Sequence, residues 1–77
     1  MEHLKTQLKE ILDSNKTIFK EYLTFSLKVT SYEDEHLYSI TFEGRDFPFN
    51  MKSVLEPNEG IALIKEYLLE LGLSEES

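Results

Sequence analysis

The side chains with chemistry to offer are mostly carboxylates. Fifteen Asp and Glu residues stand against eight Lys and Arg in 77 residues, a net charge of −7. Carboxylate pairs work as general acid and base when burial or a neighbour separates their pKa values. The densest group is Glu33-Asp34-Glu35, followed by His36. Asp34, Glu35 and His36 could be read as metal ligands. Hard cations want several oxygens in a shaped loop, and zinc wants about four spaced donors. Adjacent residues of a short turn point in different directions, so the reading here is a solvated turn. The only histidines are His3, near the N-terminus, and His36. There is no cysteine, no phosphate-cradling Gly loop and no nucleophile elbow. The sequence therefore predicts no catalytic residue, no metal ligand and no cofactor.

What remains is binding through charge. Residues 1–32 hold four acids and five bases, net +1; residues 33–77 hold eleven acids and three bases, net −8. A strongly acidic surface repels phosphate backbones and attracts basic ones. The candidate contact residues are Tyr32, Glu33, Asp34, Glu35, Glu43, Asp46, Glu56 and Glu59. The competing reading is that the acidity serves solubility. No apolar run spans a bilayer, and no signal-peptide core stands at the N-terminus. Without cysteine, a reducing compartment and a cytoplasmic location are expected.

These residues must be positioned by residues 23–51, which read as three antiparallel strands. Leu23, Phe25, Leu27 and Val29 alternate with polar residues, as do Tyr38, Ile40 and Phe42, and then Phe47, Phe49 and Met51. A turn with Gly44-Arg45 at its tip pairs Glu43 with Asp46, Phe42 with Phe47, Ile40 with Phe49 and Tyr38 with Met51. A four-residue turn, Glu33 to His36, places Tyr32 opposite Leu37, Val29 opposite Ile40 and Leu27 opposite Phe42. Pro48 cannot donate a ladder hydrogen bond, so the third strand lies at an edge.

Helices flank the strands. Leu4, Leu8, Ile11 and Leu12 form one stripe of an amphipathic helix. A break is predicted at residues 14–17, with a strand entering near residue 21; the alternative is one long helix to about residue 23. Ser53 to Glu56 matches a capping box, with Asn58 as a rival cap. Residues 61–71 are helical, with Gly72 suited to the C′ position and Leu73 placed to close onto Leu68. The main apolar arc of this helix spans about 160°. Ala62 and Leu69 fall outside it, and Leu69 is expected to be covered by the first helix.

The predicted fold is α+β, in the order α-β-β-β-α, with a three-stranded antiparallel meander (order 1-2-3). Both helices pack on its single apolar face. Residues 1–73 form one small domain, and residues 74–77 are a polar tail. This order resembles that of double-stranded-RNA-binding domains, which grip phosphates with basic residues near the start of their second helix. Here that region reads Lys52-Ser53-Val54-Leu55-Glu56-Pro57-Asn58-Glu59, with no basic cluster. Direct nucleic-acid binding is therefore not expected. In size, charge and layout the chain is similar to small acidic phage-encoded inhibitors. The expectation is a non-catalytic protein-binding module, an inhibitor of phage or immunity type, that occupies a basic surface of a partner. A self-associating structural module, such as a homodimer, is the alternative.

Overall fold

The computed structural model describes residues 2–52 and 56–76. The elements are α1 (Glu2–Ser14), α2 (Lys16–Phe19), β1 (Thr24–Tyr32), β2 (Glu35–Phe42), β3 (Arg45–Lys52), α3 (Pro57–Glu70) and β4 (Ser74–Glu75). The meander forms as predicted, β3-β2-β1, all antiparallel, with helices on one face. In β2 the alternation is strict: His36, Tyr38, Ile40 and Phe42 are buried, and the residues between them are half-buried. Phe25 and Met51 join them from the flanking strands; Leu4, Leu8, Leu12, Phe19, Ile64, Leu68 and Leu73 close the core from above.

Both hairpins differ from the predicted register by two residues. The observed pairs are Phe42 with Arg45, Ile40 with Phe47 and Tyr38 with Phe49 in one hairpin. In the other they are Tyr32 with Glu35, Val29 with Tyr38 and Leu27 with Ile40. Phe42 and Phe47 are thus diagonal neighbours, with ring centroids 5.6 Å apart. A slip of two leaves every side chain on its predicted face, which is why the alternation alone could not detect it. The reason lies in the turns. The second tip is Glu43-Gly44, with φ of 50° and 94°; two positive φ values give the primed turn that matches strand twist. The shift also separates Glu43 from Asp46. Asp46 now lies opposite Thr41, whose hydroxyl donates to Asp46 Oδ1 at 2.7 Å. The first tip is Glu33-Asp34, with Glu33 at φ 44°. His36 is therefore a strand residue and not part of the turn.

The break after α1 is present at Asn15, whose Nδ2 donates to the Ile11 carbonyl at 2.8 Å. One short helix follows, and β1 starts at Thr24 rather than near residue 21. α2 seats Phe19 against Phe42 and Phe47. Leu23, expected to share the buried face, precedes the strand and is 77% exposed. At the other end of the chain, α3 begins at Pro57, one residue before the alternative cap Asn58, and Glu56 stands at its N-cap without a side-chain cap bond. The proposed capping residue Ser53 lies outside the described residues. The C-terminus closes as predicted: Leu73 N–H donates to the Leu68 carbonyl and Gly72 N–H to that of Leu69, with Gly72 at φ 101°. The polar residues after it do more than trail. Ser74 and Glu75 pair in parallel with Thr24 and Phe25 as a fourth strand.

Leu69 is not covered. It is 47% exposed, because α1 lies beside the opposite flank of α3, where Asp13 meets Tyr67. Gly60 sets how closely α3 approaches the sheet: a Cβ there would overlap the Tyr38 ring and hydroxyl. That hydroxyl is buried and has no hydrogen-bond partner among the described residues.

Three stability measurements check this packing. Phe42 is fully buried against Phe19, Tyr22 and Phe47, so Phe42→Ala should cost about 3–5 kcal/mol in urea denaturation. Gly60→Ala should cost about 1–3 kcal/mol through overpacking, although Ala is the better helix former. Tyr38→Phe, which removes only the unpaired hydroxyl, should be neutral or stabilising. A Gly60→Ala variant as stable as the parent would contradict the close approach of α3.

Candidate functional site

The eight candidate residues fall into two groups. β1 ends at Tyr32, opposite Glu35, and Glu35 in turn lies opposite Lys52 at the end of β3. The turn Glu33-Asp34 closes this end of the sheet. α3 starts here too: its Gly60 rests on Tyr38, near the start of β2, and its C-terminus leads to Ser74 beside Leu23, at the far end. Glu56 and Glu59 therefore join Tyr32, Glu33, Asp34 and Glu35 at one end of the molecule. All are exposed except Glu35, which is half-buried. Glu59 lies near enough to Tyr38 that, after burial, it is the second cause raising the Tyr38 hydroxyl above its ordinary pKa.

Glu43 and Asp46 are not part of that group. They lie at the opposite end of β2, some seven residues or about 23 Å away along a strand. Both also have local work. Glu43 Oε2 accepts the Leu23 backbone N–H at 2.9 Å, tying the entry of β1 to the second turn. Asp46 accepts from Thr41. Beside them Arg45 donates to the Tyr22 hydroxyl at 3.1 Å, and Tyr22 stacks on Phe42. This end is mixed in charge and structurally engaged.

Asp34, Glu35 and His36 do not converge. His36 points to the core and is 8% exposed, sharing a 2.7 Å hydrogen bond between Nδ1 and Ser31 Oγ. Glu35 lies on the other sheet face by alternation. Among the described residues no group of three His, Asp or Glu is placed to hold a metal ion, and no helix is long and apolar enough to cross a membrane. Tyr32 sits on the outer face by alternation and is 47% exposed.

Sequence reasoning missed the contact between the helices, where the Tyr67 hydroxyl donates to Asp13 Oδ1. The two residues are 54 positions apart. Burial, followed by this hydrogen bond and the negative charge of Asp13, pushes the Tyr67 pKa up to about 12. Comparison of the chain with family models, curated proteins and solved structures finds no match.

The Tyr67 contact has a pH signature. A phenol whose pKa rises on folding favours the folded state while it is protonated. Its contribution is complete below its ordinary value of 10.0 and is lost as pH rises through about 12. The difference in urea midpoint between the parent and Tyr67→Phe should therefore narrow between those two values. A difference constant with pH would mean that Tyr67 and Asp13 do not meet in solution.

Proposed function

We propose that this chain is a non-catalytic binding module that docks its acidic end on a basic surface of another protein. The observation that carries the reading is that Glu33, Asp34, Glu35, Glu56 and Glu59 share one end of the sheet with exposed Tyr32. Like charges held together are unfavourable for the isolated fold, and an opposing basic surface relieves them. Tyr32 supplies the amphipathic anchor that interfaces favour. An inhibitor or immunity-type protein in the cytoplasm is the class of molecule this describes, and a cysteine-free chain suits a reducing compartment. Carboxylates at the start of α3 stand against direct nucleic-acid binding.

The reading of the chain as a self-associating module draws on Leu69, which with exposed Ala62 interrupts the polar outer face of α3. Salt separates the two. Docking through carboxylates weakens steeply as the Debye length falls from about 10 Å at 0.1 M to about 3 Å at 1 M ionic strength. An apolar self-interface does not.

Affinity capture from the native host, followed by mass spectrometry, should yield a partner with a basic surface that is released by salt. The triple variant Glu33→Ser, Asp34→Ser, Glu35→Ser should lose that partner while melting like the parent. Retention of the partner by the triple variant would refute the assignment. Conversely, a salt-insensitive dimer that dissociates on Leu69→Lys would establish the self-associating module instead.

A further inference from the structure

β1 has nine residues, and only its first two carry a strand on their outer side. Ser74 N–H donates to the Leu23 carbonyl and Glu76 N–H to that of Phe25. Odd-numbered residues of β1 therefore turn their backbone groups to this edge. Leu27, Val29 and Ser31 do so beyond the end of β4, along roughly 13 Å of strand. Among the described residues no strand lies against them. The other edge of the sheet is different. Pro48 sits in the middle of β3 and blunts it, having no N–H to offer.

The open edge has a floor and two charged ends. Leu27 and Val29 are half-buried on the inner face. Lys65 on α3 reaches Glu75 at 2.9 Å, so this flank of α3 overhangs the β1 edge, and half-buried Ile61 lies one turn before Lys65 on the same flank. Glu76, beside the Glu75 that Lys65 pairs, stands at one end of the open stretch, Glu33 and Asp34 at the other. A second copy is a poor occupant. Laid antiparallel on this edge, it would drive its own Glu76 into Glu33 and Asp34. A strand with basic ends has the complementary charge.

We propose that the β1 edge from Leu27 to Ser31 takes an extended segment of a partner protein as an added strand, with apolar residues alternating toward Leu27, Val29 and Ile61 and basic residues at its ends. This rests on the chain being a protein-binding module and names the form of the partner: main-chain hydrogen bonds supply affinity and the acidic ends select charge.

The probe is a short blocked peptide with alternating Val and Thr at its centre and Lys at both ends. Two controls carry Glu at the ends, or N-methyl groups on alternate backbone amides. Binding is followed by titration calorimetry and by amide hydrogen exchange of the full chain. The Lys-ended peptide should bind and slow exchange at Val29 and Ser31. N-methylation on the pairing side should weaken it by about tenfold or more, the value of two or so lost hydrogen bonds. The Glu-ended peptide should bind more weakly than the Lys-ended one. Val29→Pro, a substitution of the kind β3 tolerates at Pro48, should abolish binding. Exchange on the parent chain supplies the answer if that variant fails to fold. Salt-sensitive binding with unchanged exchange at Val29 and Ser31, or equal affinity for the N-methylated peptide, overturns the added strand while leaving the acidic docking surface standing. No binding of the Lys-ended peptide at millimolar concentration overturns the added strand as well. Loss of the native partner from the Glu33, Asp34, Glu35 triple variant tests the docking surface separately.

Discussion

The structure depends on the burial of alternate β2 side chains beneath the helices. β2 is paired along its length on both sides, and its inner residues His36, Tyr38, Ile40 and Phe42 are buried. Two of them set the positions of the covering elements. Phe42 receives Phe19 and Tyr22, which fixes α2 and the entry into β1. Tyr38 receives Gly60, and only a residue without a Cβ lets α3 settle so close. That approach draws the start of α3, with Glu56 and Glu59, toward the end of the sheet closed by Glu33 and Asp34. The acidic cluster is thus a consequence of core packing.

Strand existence, buried faces and both long helices were legible because each rests on a period, two or 3.6, that repeats within a few residues. The register was not, because a slip of two preserves every face. Only turn chemistry distinguishes the alternatives, and Glu43-Gly44 competes with Gly44-Arg45 for the tip. The winning turn puts Glu43 at positive φ, unusual for a residue with a Cβ, and separates it from Asp46. Leu69 was misjudged because a helical wheel gives angles within one helix and not the side on which its neighbour lies. β4 left no mark at all: two polar residues pair through their backbones, which carry no sequence.

The candidate site was legible only in part for a related reason. Residues adjacent in sequence, Tyr32 to Glu35, remain together in a tight hairpin. Glu56 and Glu59 join them through the tertiary path of α3, while Glu43 and Asp46 part from them because β2 spans the molecule. Net charge by segment treats all seven carboxylates as equal. The fold sorts them into a carboxylate cluster and two residues occupied with Leu23 and Thr41.

The two sheet edges show how the same acidity can serve solubility and recognition together. An unpaired strand edge invites pairing with any chain, its own copies first. On β3 a proline removes that hazard from the backbone. On β1 the backbone is left intact, and the hazard is met by charge: carboxylates flank the open stretch at both ends, so two copies repel where they would have to align. Repulsion of this kind is selective where a proline is not. It excludes acidic strands, including those of this chain, and admits a basic one. Solubility and docking are therefore two effects of one charge distribution, and the partner that relieves the repulsion is the one whose strand carries the opposite sign at its ends.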